Sequence, residues 1–315
     1  MVKRGSPASQ EETMILFNYL IFPGFLFSAI VGLLSGWVDR KVTARLQWRV
    51  GPPWYQNFVD ILKLSGKEII LPERSKITFL FSPFLGLLSL VLAATMLGKA
   101  VIFPFQGSLG DLIVVIYLLT IPAIALILGA SSSGNPLASI GVSREMKLLL
   151  AYELPFILSI IAVIVKNAGA LQLGQILGYQ MNFGSNIASI SGVLAFLAAL
   201  LCVQAKLGFV PFDAPEAEQE IMGGVLIEYS GLPLAVFKLS KAILLYVAAL
   251  LLIVLFMGKD LSPLFISLKF IAILVLIILI KNTNPRLRID QIMRFFWGPV
   301  TALAFIAVVL AMLGL

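Results

Sequence analysis

Five carboxylates crowd one short stretch between two apolar segments. The run V-P-F-D-A-P-E-A-E-Q-E-I-M-G-G-V-L-I-E-Y-S-G carries Asp213, Glu216, Glu218, Glu220 and Glu228, five of only 16 acids in the protein. Neighbouring carboxylates raise one another's pKa, and burial raises it further. A set of this kind can exchange protons near neutral pH. Helix capping explains part of it: Asp213-x-x-Glu216 has capping-box spacing, with Pro215 tolerated in the first turn. Acids there also suit the helix dipole. Capping accounts for one or two carboxylates, not for five beside a single lysine. A continuous helix would put Asp213, Glu216 and Glu220 on one face, at offsets of three and four.

Further charges stand inside apolar segments. Glu153 follows Tyr152, Lys238 and Lys241 lie three apart, and Lys269 sits in the segment after them. Each such charge costs roughly 2.5–3.5 kcal/mol at a helix centre by insertion scales. A lysine near a helix end can snorkel to the interface, and that reading suits Lys269. For Glu153, Lys238 and Lys241 two readings stand. One is an ion pair with Glu153 or Glu228 as the acid. The other is a relay of ionisable groups into the membrane plane, favoured for Glu153 and Lys241.

These residues need a scaffold, and the composition specifies it. The chain is 60% hydrophobic, with a mean hydropathy of +1.02. Eight apolar runs can be read, at about 15–37, 77–97, 112–130, 148–165, 187–205, 232–257, 264–280 and 295–313. Each approaches the ~20 residues that cross a bilayer as a helix, and none alternates as a barrel strand would. The expected fold is an all-α membrane protein: a bundle of about eight transmembrane helices, some tilted, with amphipathic loop helices. A polar segment, 1–13, precedes a single transmembrane domain, 14–315, with large loops at about 38–76 and 206–230. The first thirteen residues lack the pattern of a cleaved signal.

Lysine and arginine set the expected orientation. The first loop holds Arg40, Lys41, Arg45, Arg49, Lys63, Lys67, Arg74 and Lys76. The third adds Arg144 and Lys147, the fifth Lys206, and the seventh Lys281, Arg286, Arg288 and Arg294. The loops between offer only Lys99, Lys166 and Lys259. The basic side is expected in the cytoplasm, with both termini outside a cell membrane. Topology then explains the net charge of +7, and no basic soluble face suggests nucleic acid. The residues after Pro53 form an amphipathic pattern: Phe58, Ile61, Leu62 and Ile69 with Lys63 and Lys67. That pattern reads as an interfacial helix and as a docking platform, using Arg40, Lys41, Arg45, Arg49, Lys63, Lys67, Arg144, Arg286 and Arg288. The chain has no histidine and one cysteine, Cys202. Haem, iron–sulfur and zinc sites draw on those residues, so any redox centre is expected in partner subunits.

The motifs resemble the NuoH family, the membrane subunit that joins respiratory complex I to its peripheral redox arm. D-R-K-V-T-A-R-L-Q-W-R-V-G-P, V-D-I-L-K-L-S-G-K-E, S-R-E-M-K-L-L-L-A-Y-E-L, the acidic run and P-R-L-R-I-D-Q-I-M follow the family's motifs in order. Four departures stand out. Lys206 replaces a family Glu, Phe209 a family Arg, and Lys241 a further Glu; Pro53 also replaces an Asn. These changes count against quinone binding. They are similar instead to the hydrogenase-linked branch of energy-converting [NiFe] hydrogenases and sulfane-sulfur-reducing relatives.

The resemblance implies a non-catalytic anchor that holds no cofactor itself. Its partners would be peripheral iron–sulfur and large catalytic-type subunits, with clusters and in some members a NiFe centre. Antiporter-like membrane subunits, the lipid bilayer and ferredoxin acting through the complex complete the set. Coupling to proton or sodium movement would run through Asp213, Glu216, Glu218, Glu220, Glu228, Glu153, Lys238 and Lys241. Two alternatives remain at this point: a quinone-binding subunit of complex I, and a stand-alone secondary transporter, against which the halves show no repeat. The orientation is testable with a cysteine introduced beside Gly51. Thiol reagents should label it from the cytoplasmic side of sealed vesicles; labelling from the other side alone would reverse the topology.

Overall fold

A computed structural model describes residues 16–73, 75–104 and 110–315. Lys3, Arg4, Arg74 and the side chain of Glu218 lie outside the described set. The described chain is helical, with no strand. The helices are α1 (Phe25–Leu46), α2 (Gln56–Ser65), α3 (Lys76–Ile102), α4 (Asp111–Ser132), α5 (Pro136–Lys166) and α6 (Leu173–Phe183). They continue as α7 (Ile190–Lys206), α8 (Glu218–Ile221), α9 (Gly231–Phe256), α10 (Pro263–Thr283), α11 (Ile289–Phe295) and α12 (Thr301–Met312). A π-helical turn, Phe296–Val300, joins the last two around Pro299.

All eight apolar runs are helical. Seven of these helices are long and apolar enough to cross a membrane, and α7 is a shorter apolar helix of 17 residues. The protein is a multi-pass membrane helical bundle. Its centre is α9, with 83% of its most apolar window buried. It packs on α1 and α3 and touches α2, α6, α7 and α10, while α5 packs on α4, α7 and α12. A helix apolar on every side belongs in such a place.

Two boundaries differ from the sequence reading. The stretch with Arg144 and Lys147 was expected as a loop but forms the first turns of α5. Asn135 caps it through Leu137 N–H at 2.8 Å, and Pro136 stands at N1, where a missing N–H costs nothing. The unexpected helix α6 lies against the end of α9. Its buried Gln180 donates to Val254 O at 2.8 Å and accepts from Gly258 N–H at 2.7 Å. Asn186 donates to Leu255 O at 2.7 Å. A buried helix end must have its carbonyls satisfied somewhere, and these amides do it. Lys269 donates to Met257 O and Asp260 O at the same end, which agrees with the snorkelling reading.

The acidic stretch is not one helix. It breaks into 3₁₀ turns at Ala214–Glu216 and Gly224–Leu226 with α8 between them. Pro211 and Pro215 lack donors, and Gly223 and Gly224 take φ of 93° and 48°, backbone that ends a helix. The expected shared face for Asp213, Glu216 and Glu220 therefore does not form, and Asp213 makes no side-chain cap bond. The stretch is instead pressed against α5: a Cβ on Gly141 would lie 2.7 Å from Val225 N and 3.1 Å from Gly224 C. Gly141→Ala should lower stability by roughly 1–3 kcal/mol through overpacking. Gly178→Ala, where a Cβ meets nothing within 4 Å, should not; thermal unfolding in detergent compares the two.

Candidate functional site

Each described acid of the acidic stretch finds a partner on another element. Lys241 Nζ, from α9, lies 2.6 Å from Glu216 Oε2. Arg286, after α10, lies 2.9 Å from Asp213 Oδ2. Arg144, from α5, lies 2.6 Å from Glu220 Oε2 and also donates to Ala214 O at 3.2 Å. Glu228 accepts from Asn135 Nδ2 at 2.5 Å. Deeper in the bundle, Lys206 Nζ lies 3.4 Å from Glu153 Oε2, and Thr120 Oγ1 lies 3.0 Å from Glu153 Oε1. The Lys206 side chain is only 2% exposed, and its ammonium also stands 5.1 Å from the Tyr152 ring and 5.0 Å from Phe156.

The loop geometry follows from the end of α7. Gly208 takes φ of +59°, a left-handed conformation, as Leu207 and Gly208 close back on Val203 O and Ala205 O. Gln204, fully buried, donates to Val210 O at 2.8 Å. Phe212 packs on Phe296 at 4.9 Å between centroids, and Leu287 N–H donates to Pro211 O at 3.1 Å. The chain reversal sets Phe209 between two cations, 5.8 Å from Lys241 Nζ and 4.8 Å from Lys281 Nζ. Lys281 pairs in turn with Asp39 of α1 at 2.6 Å.

A cavity of about 90 Å³ opens at the centre of these groups. Glu145, Lys206, Asp213, Glu216, Lys238, Ser240 and Lys241 line it, with Leu119, Pro122 and Leu244. At about 30 Å³ per molecule it can hold a few waters. Ser240 Oγ is buried and has no protein hydrogen-bond partner among the described residues, so a polar occupant of the cavity would satisfy it. Burial pushes the Asp213 carboxyl above the usual carboxylate range, against the opposing pull of Arg286. Tyr229 closes the acidic stretch, stacked on Phe79 at 4.0 Å and 3.1 Å from Ser82 Oγ. Burial pushes its phenol up to about 12, so it stays neutral. Among the described residues, no three metal-ligating side chains converge.

Sequence reasoning named Glu216, Asp213, Glu220, Glu153 and Lys241, and they meet at or beside this cavity. Lys238 lines it too, with an exposed side chain, whereas Glu228 is held apart at Asn135. Four participants were missed. Glu145 lay within a quoted motif without being singled out. Lys206 was noted as a loop charge and as a replacement for an acid, and Asp39 and Lys281 looked like ordinary loop-edge charges. Their spacing of 242 positions left no local signal.

The expected docking residues divide into three groups, of which Arg144 and Arg286 are taken up by Glu220 and Asp213 of the acidic stretch. Arg40 pairs with Asp60 at 3.1 Å and donates to Asn57 at 2.7 Å, while Lys41 donates to Gly51 O at 3.3 Å. These two build the first loop. Arg45, Arg49, Lys63 and Lys67 are exposed around it, as is Arg288 on the seventh. Trp48 is 98% exposed with φ of +59°, and Val50 and Trp54 stand out beside it.

Glu153→Gln should leave Lys206 buried without a carboxylate and cost roughly 2–4 kcal/mol, somewhat below a fully buried pair. Adding Lys206→Met should recover most of that loss. A double-mutant cycle on thermal unfolding reads it; additive losses would mean the two do not interact.

The chain matches the family described as NADH dehydrogenase over residues 19–312. It is 30% identical over 318 aligned positions to an NADH-quinone oxidoreductase subunit of Bacillus thuringiensis (strain Al Hakam), covering 95% of this chain and 93% of that protein. The corresponding subunit from Bacillus cereus (strain AH187) gives the same figures. A solved chain of the membrane-bound sulfane sulfur reductase, an archaeal respiratory membrane complex, superposes with a TM-score of 0.84 at 30% identity, covering 95% of this chain and 99% of that one.

Proposed function

We propose that this chain, which belongs to the NuoH-type NADH dehydrogenase family, is the membrane anchor and ion-coupling subunit of a ferredoxin-dependent respiratory oxidoreductase complex of the hydrogenase-like or sulfane-sulfur-reducing type. The observation that carries this reading is the sequence of alternating charges through the bundle. Asp39–Lys281, Phe209, Lys241–Glu216, the cavity and Lys206–Glu153 follow one another from α1 to α5. Each pair is held by different elements, so moving or protonating one member unbalances its neighbour. An added proton on Glu216 would release Lys241 toward Phe209 and the cavity. Transfer through the cavity to Glu145 or Glu153 would then pass a charge laterally, toward antiporter-like neighbours.

The docking side supports the same reading. Exposed Arg45, Arg49, Lys63 and Lys67 surround exposed Trp48, Val50 and Trp54, the aromatic-and-arginine mixture that protein interfaces favour. That loop is tied to the acidic stretch. Ser230 Oγ accepts from Ile70 N–H at 2.9 Å and donates to Glu68 O at 3.3 Å. A subunit seated on the loop would thereby press on the end of the site. Peripheral cluster-bearing subunits would supply the electrons, and this chain would respond to their charge.

Quinone chemistry is favoured less. The cavity of about 90 Å³ falls below the roughly 300–1,000 Å³ of small-molecule pockets, and lysines line it. Glu216→Gln keeps the size of the side chain and removes its titration. The Glu216–Lys241 pair is about one-third exposed, so its loss should cost under about 1 kcal/mol and the complex should assemble. Ion pumping per electron in proteoliposomes should fall severalfold. An unchanged ratio of ions to electrons would reduce the network to scaffolding.

A further inference from the structure

A second cavity lies at the other end of the bundle. Arg144 touches the acidic stretch, and Lys166 stands 22 residues further along α5, about 33 Å at 1.5 Å per residue. That is close to the hydrocarbon thickness of a bilayer. An open cleft there of about 670 Å³ is lined by Lys166, Tyr179, Phe183, Asn186, Ser189 and Leu315. This volume falls in the range of small-molecule pockets.

The chemistry of its wall is that of an anion site. Lys166 Nζ donates to Asn186 O at 3.4 Å and to Ser189 Oγ. Both acceptors are neutral, and no carboxylate side chain lies within ion-pair distance of Lys166 among the described residues. An ammonium carries three donors, so one remains to be directed at a ligand. Leu315 O, also on this wall, accepts from Ser191 Oγ. A cation in the last turn also suits the dipole of α5, but the dipole accounts neither for the cavity nor for its aromatic edge. Tyr179 and Phe183 stack there at 5.8 Å, and Phe183 is 83% exposed. Tyrosine is enriched at headgroup level in membrane proteins, and Tyr179 stands beside the apolar, exposed ring of Phe183.

We propose that this cavity binds the phosphate of an anionic phospholipid headgroup, with Lys166 as its counter-ion and Tyr179 and Phe183 against the upper acyl chain. The site is separate from the charge network and does not depend on the coupling role. The test uses the full chain in nanodiscs of phosphatidylcholine with a minority of phosphatidylglycerol, re-extracted in mild detergent, with retained lipid identified by native mass spectrometry. Phosphatidylglycerol should be enriched about fivefold over its bulk share, the ratio for one lysine at a charged surface. Equal retention of the two lipids by the wild-type chain would overturn the proposal without any variant. Lys166→Gln should abolish the preference and Lys166→Arg should keep it. Lys99→Gln removes a cation beside Tyr19 at another helix end and should change nothing. An equal loss there would mean diffuse surface charge and refute the site. Millimolar inorganic phosphate should not displace the lipid; displacement would assign the cavity to free phosphate and overturn the lipid reading.

Discussion

A charge within a membrane bundle must be matched locally, because neither lipid nor apolar side chains can solvate it. That constraint organises this protein. Asp39 and Lys281, Glu153 and Lys206, Glu216 and Lys241, and Asp213 and Arg286 each join elements distant in sequence. The pairs are clasps, and their placement fixes where the acidic stretch can lie. Once Gly208 reverses the chain after α7, Asp213 and Glu216 come within reach of cations on either side of them.

Three of the replacements noted in the motifs acquire a common meaning from this geometry. Lys206 and Lys241, which the motif resemblance reads as replacements of acids, each pair with an acid of another element. Phe209, which the same resemblance reads as replacing an arginine, offers its ring to two lysines. The result is a row of alternating signs. In that row Glu153, Glu216 and Asp39 each face a lysine from another element, a pairing that offsets part of the cost of holding charge among apolar helices.

Apolar length made the helices legible, since crossing a bilayer demands about twenty residues and nothing in a loop resembles that. The acids were legible because charge is rare in such a chain. The shape of the acidic stretch was not. Its i, i+3, i+4 spacing fits a helix, while Pro211, Pro215, Gly223 and Gly224 break one, and the breakers prevailed. The partner of Glu153 was also hidden: Lys206 at the end of α7 is reached only because α5 and α7 pack together. Helix α6 is short and mixed in polarity. Its role comes from Gln180 meeting the end of α9, a contact between positions 74 apart.

The central claim is that the charge state of the Glu216 cavity follows the redox state of docked subunits. Infrared difference spectroscopy of the assembled complex, reduced minus oxidised, reads this directly. A protonated-carboxyl band should appear or vanish on reduction, shift in D₂O, and be lost from Glu216→Gln. A difference spectrum without a carboxyl band, or one identical in Glu216→Gln, would contradict the claim.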